Sequence, residues 1–184
     1  MTAPTAPVVV KRPVYLLVPL GAGALVSIAL GVYGNRHSPL RRPLFGMTYD
    51  QMLAMKVWLT VAALVLAVVQ LLSALSMYGK LGGRAPSWIG PLHRTSGVLA
   101  FLCTLPVAFH CLWSLGFSTL DPRTLAHSLL GCLFYGAFVA KLLTLHSRRV
   151  PNWALPWVAG TLFTVLVCVG LTSAVYWLTV KGVP

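Results

Sequence analysis

Charge is what this 184-residue chain has least of: 9% of its residues are charged, against about 25% in average soluble domains. A water-soluble fold of this size cannot cover its surface with so few charges. A soluble domain is therefore excluded, and a lipid-facing surface is the remaining explanation. Acids are scarcest of all. Asp50 and Asp121 stand alone against fourteen Lys and Arg, for a net charge of +12. In a soluble protein such an excess points to nucleic acid. Here the basic residues stand singly or in pairs between apolar runs, which excludes that reading. They are juxtamembrane charges that meet anionic lipid and, where one is bound, an anionic cofactor. The four cysteines, Cys103, Cys111, Cys132 and Cys168, form neither C-x-x-C nor C-x-x-C-H. Covalent haem attachment and a redox dithiol are therefore unsupported, and the thiols read as small packing residues. No βαβ pattern or dinucleotide fingerprint is present, so a nucleotide or flavin domain is excluded as well.

What the chain has instead is apolar length, 58% of its residues. About 20 apolar residues cross the hydrocarbon core as a helix. Five runs qualify: Val14–Tyr33, Val57–Tyr78, Thr95–Phe117, Leu125–Leu145 and Trp153–Leu178. They end at Gly34-Asn35, Gly79-Lys80, Asp121-Pro122 and Arg148-Arg149-Val150-Pro151, all turn or charge signals. Trp58, Trp88, Trp113, Trp153 and Trp177 lie near run ends, where an aromatic belt belongs. The expectation is an all-α polytopic transmembrane bundle of about five helices with a four-helix core. It forms a single domain over residues 14–184, preceded by a disordered tail over 1–13. At about twenty residues the first run is long for a signal peptide, and reads as a retained anchor. Asn35–Lys56 reads as the longest connection.

Lys and Arg alternate unevenly between the two sides. Lys11, Arg12, Lys80, Arg84, Arg94, Lys141, Arg148 and Arg149 fall on the N-terminal side. Arg36, Arg41, Arg42, Lys56, Arg123 and Lys181 fall on the other. The bias places the N-terminus in the cytoplasm of a multi-pass cell-membrane protein.

The residues that carry chemistry are His93, His110, His127 and His146. An ionisable group at membrane depth is costly and marks a functional site by default. The third run carries one histidine at its start and one near its end, and so does the fourth. Consecutive helices run antiparallel, so His93 shares a level with His146, and His110 with His127. Separations of 17 and 19 residues correspond to about 25–29 Å along a helix, so the pairs lie toward opposite faces. Two level-matched pairs are what two bis-histidine haems require. At about 100° per residue, however, the two histidines of each helix are offset by roughly 100° around its axis. His93-Arg94-Thr95-Ser96-Gly97 and His127-Ser128-Leu129-Leu130-Gly131 both read H-x-x-x-G, with Phe101 and Tyr135 eight residues after each His. Gly97 and Gly131 would each leave room for a macrocycle one turn from a ligand. Arg94, Arg123, Arg148 and Arg149 are candidate propionate partners. A set formed by His37, His110 and His127 would suit zinc or copper instead. Haem between the third and fourth helices requires them to splay or lie diagonally, because closely packed neighbours stand about 8–10 Å apart.

These motifs carry a family resemblance. His93-Arg94-x-x-Gly97 resembles the ligand-helix motif of ferric-reductase-like membrane domains. His127-Ser128-Leu129-Leu130-Gly131 resembles that of b561-type cytochromes, with Leu129 where Trp is usual. The resemblance spans Pro91 to His146, and the intrahelical His spacing is longer than those families use. It implies two b-type haems held through His93, His110, His127 and His146 in a four-helix core, and electron transfer across the membrane. The implied donor or acceptor is a quinone or a redox partner protein. Two rival readings remain open: a haem-free anchor or assembly subunit of a respiratory complex, and a small transporter using the histidines for protons or metal.

Overall fold

Each of the five apolar runs forms a helix in the structure, a computed structural model that describes residues 11–182. Helix α1 is Pro13–Arg36, α2 Tyr49–Met77, α3 Ile89–Leu115, α4 Pro122–His146 and α5 Ala154–Val180. All five are long and apolar enough to cross a membrane, and no strand occurs among the described residues. The protein is an all-α, multi-pass membrane bundle. The first ten residues of the expected disordered tail lie outside the described residues. Lys11 and Arg12 are described, and their segment is anchored. Lys11 Nζ donates to Asn152 Oδ1 and Arg12 N to Arg149 O, which fixes the start of α1 beside the α4–α5 turn.

Helix starts are set by capping as well as by hydropathy. Helix α2 begins at Tyr49, eight residues before the apolar run, because Thr48 and Gln51 form a reciprocal capping box. The connection is therefore His37–Thr48, shorter than the Asn35–Lys56 that hydropathy alone indicates. Asp121 caps α4 by accepting from Thr124 N at 3.0 Å, and Pro122 takes the first helical position. Helix α3 ends at Gly116, whose φ of +77° a side chain would strain.

Neighbour relations follow from small residues. Helix α1 packs on α4, α2 on α3, α4 on α5, and α5 also reaches α2. A Cβ at Gly23 would stand 2.5 Å from Gly136 O, and one at Gly136 would run into Gly23 and Ser27. Backbones this close are the usual basis of helix association in lipid, where no hydrophobic drive exists between helices. A buried cluster of Ala67, Phe134, Leu162 and Val165 joins α2, α4 and α5.

Helices α3 and α4 are consecutive, yet their backbones do not pack closely. They meet through long side chains. Phe101 stacks on Phe138 with ring centroids 4.0 Å apart, and Tyr135 Oη donates to Thr104 O at 3.0 Å. These side chains fill the interval between the two backbones.

Candidate functional site

The four membrane histidines share one hydrogen-bonding pattern. His110 Nδ1 lies 2.9 Å from Pro106 O, and His146 Nδ1 lies 2.8 Å from Leu142 O. A carbonyl only accepts, so Nδ1 carries the proton in both rings. His93 Nδ1 lies 2.8 Å from Ser73 Oγ, and that hydroxyl donates its proton to Val69 O. His127 Nδ1 lies 3.2 Å from Thr172 Oγ1, whose proton goes to the Cys168 and Val169 carbonyls. With the hydroxyl protons on those carbonyls, these two rings would donate from Nδ1 as well. In the neutral ring the lone pair then sits on Nε2 of His110 and His146, and that assignment would put it on Nε2 of His93 and His127 too. A second group holding Nδ1–H is what fixes tautomer and orientation in metal-ligating histidines.

Burial separates the four. His110 is fully enclosed, and its Nε2 is buried without a partner. His93 and His127 are half-buried, and His146 is exposed at the end of α4.

One large cavity opens on the side of the bundle that holds the start of α4 and the end of α5. Its volume is about 450 Å³, within the range of small-molecule and cofactor sites. All five helices line it. His127 and Gly131 stand on its α4 wall, and a Cβ at Gly131 would meet nothing within 4 Å. Apolar side chains such as Ala63, Phe134 and Leu166 line its inner part. Lys56 and Arg123 line it too. Arg123 donates to Thr172 O at 2.8 Å, and its guanidinium lies 4.1 Å over the Tyr176 ring.

His110 does not line this cavity; Cys111, the next residue, does, and it stands beside His127 and Lys56. The level argument brings His110 to the correct end of the bundle. Rotation then turns it away. Nine residues after Phe101, which faces α4, a helix has turned through about 180°. His110 consequently packs with Phe45 of the first connection, and its ring lies 5.9 Å from that of Phe45. The expected pairing of His110 with His127 is not assembled in this conformation.

Gly97 also departs from its expected role. A Cβ there would meet the Gln70 side chain at 3.0–3.3 Å, so Gly97 gives α2 its close approach. Gln70 bridges the same contact by donating to His93 O and to Ser96 Oγ. Arg94 is exposed. Arg149 leans over Tyr15, with the guanidinium 5.5 Å from the ring centroid. His37 stacks on Tyr33 at 5.1 Å and abuts Trp113, in an aromatic group apart from the cavity. Among the described residues, no group of three or more His, Cys, Asp or Glu is placed to hold a metal ion.

Two segments at the cavity were not anticipated from the sequence. His110–Leu115 in α3 and Leu171–Val175 in α5 wind as π-helix. Both contribute residues to the wall, including Cys111, Leu112, Thr172 and Ser173. The second holds Thr172, whose carbonyl accepts from Arg123 and whose hydroxyl meets His127 Nδ1. π-Segments recur at functional sites because they break the regular register of the helix. Pro106, one turn before the first of them, is the local signal the sequence offered.

One family model matches residues 16–184, described as a Family of unknown function (DUF6529). No curated protein and no solved structure matches the chain.

Proposed function

We propose, for a chain that belongs to the DUF6529 family of unknown function, that it is an integral membrane b-type cytochrome carrying electrons between the two membrane faces. One observation carries this reading. All four membrane histidines set Nδ1 within hydrogen-bond reach of a neighbouring oxygen, an arrangement that frees Nε2 as the ligand atom. Rings oriented in this way at two levels of the bundle support two haem sites.

The fit differs between the two ends. His93 and His146 would hold the haem near the N-terminal side. On the other side, His127 is the ligand that the cavity and the open Gly131 support. His110 joins it on one ground only, its buried and unpartnered Nε2. Haem ligated by two histidines supplies one-electron chemistry at iron with no open position for oxygen. The chain's own residues do the rest. Ser73, Thr172 and two helix carbonyls orient the rings, and the apolar walls exclude water. A quinone or a redox partner protein would serve as electron donor or acceptor. The Lys and Arg bias supports a cell-membrane location with a cytoplasmic N-terminus.

The test is a pyridine haemochrome assay on purified protein from haem-replete cells, with two haems per chain expected. His93→Ala and His146→Ala should each remove the same spectral component, and His127→Ala the other. A colourless preparation ends this reading. Retention of both haems in His110→Ala removes His110 from the ligand set.

A further inference from the structure

The cavity that holds His127 contains two cations and no acid. Lys56 and Arg123 line it, and neither of the chain's two carboxylates, Asp50 and Asp121, does. Lys56 is half-buried and lies about 10 Å along α2 from its first residue. It stands one residue before the apolar run Val57–Tyr78, and a half-buried ammonium at this edge of the membrane core favours an anionic partner. Arg123 is tethered by the Thr172 carbonyl and the Tyr176 ring, which leaves further guanidinium donors for a ligand. From Trp177 to Leu166 the α5 wall extends about 16 Å, and its deep end is apolar.

The geometry points to a site for an apolar molecule bearing carboxylates, whose head meets Lys56 and Arg123 while its body lies against Ala63, Phe134 and Leu166. The shared chemistry has two sources. One is the propionate pair of a haem on His127, in which case two carboxylates meet two cations; this form rests on the cytochrome reading. The other is the head of a membrane-dissolved fatty acid, which needs no haem. Lys56 was assigned to topology alone by the sequence, and the structure places it in the cavity wall.

The test uses the full chain in detergent with two probes, haemin and oleate, and their methyl esters. Wild-type protein should bind at least one of the acids, and the matching ester about tenfold or more weaker, since charge-assisted hydrogen bonds differ from neutral ones by that order. Lys56→Met with Arg123→Met should weaken the acid by a similar factor and leave the ester unchanged. Equal binding of acid and ester by the wild-type protein overturns the proposal, whether or not the double variant folds. So does unchanged acid binding in the folded double variant. The two readings fail separately. A colourless protein that prefers oleate to its ester keeps this site and loses the cytochrome. A dihaem protein indifferent to both substitutions and to esterification keeps the cytochrome and loses the site.

Discussion

Ser73 and Thr172 each reach a carbonyl of their own helix and the Nδ1 of the imidazole beside it. That makes them positioning residues for His93 and His127. Loss of such a partner typically costs a bound metal about 10–100-fold in affinity. Ser73→Ala and Thr172→Ala should therefore each weaken one haem by that factor. They should also raise its midpoint potential, because a ring without an acceptor for Nδ1–H donates less to ferric iron. Haemin titration and a redox titration read the two effects, and unchanged potentials in both variants would reject the role. The two glycines separate at the same scale. Gly131→Leu projects into the cavity and should expel one haem while the bundle stays folded. Gly97→Leu meets Gln70 and should loosen the α2–α3 contact, lowering thermal stability with both haems affected. A Gly97→Leu protein with wild-type melting behaviour would contradict the contact seen here.

At the scale of elements, the α1–α4 pair depends on Gly23 and Gly136, where the backbones meet without intervening side chains. Overpacking of this kind costs about 1–3 kcal/mol. Gly136→Leu should therefore detach α1 from α4 and leave α2, α3 and α5 in place. The same helix pair offers a reporter two turns away, since a Cβ at Gly31 would stand 4.0 Å from Cys132 Sγ. Crosslinking between a cysteine introduced at Gly31 and the native Cys132 should fall sharply once Gly136→Leu is added. Persistence of the crosslink would show that the glycines do not set the contact. Helix existence was legible in the sequence because an apolar run of spanning length has few alternatives in lipid. The start of α2 was less so. Hydropathy placed the start of α2 at Val57, whereas the Thr48–Gln51 capping box starts it at Tyr49. The capping box is itself a readable signal, masked here by polar first-turn residues. Of the π-segments, the first had a local signal in Pro106, and the second, Leu171–Val175, had no proline in the turn before it.

At the scale of the whole molecule, the alternation of Lys and Arg predicts a direction for the chain in the membrane. The structure agrees on which segments share a side. The start of α1 binds the α4–α5 turn, and the first connection binds the end of α3 through Leu40 N to Trp113 O. With a cytoplasmic N-terminus, Thr119→Cys should react with a membrane-impermeant maleimide in intact cells, and Ser87→Cys only after lysis. The reverse pattern would place the N-terminus on the opposite side.

The sequence by itself determined the membrane class, the five helices and the level of each histidine, because these depend only on the length and order of apolar runs and on rise along a helix. Tertiary structure decided which way the side chains face. It set Gly97 against Gln70, turned His110 toward the first connection, and left Cys111 and Lys56 beside His127. The physical reason is angular. Rise accumulates slowly and tolerates an error of a residue, whereas about 100° of rotation per residue makes one position the difference between facing a cavity and facing a neighbouring helix.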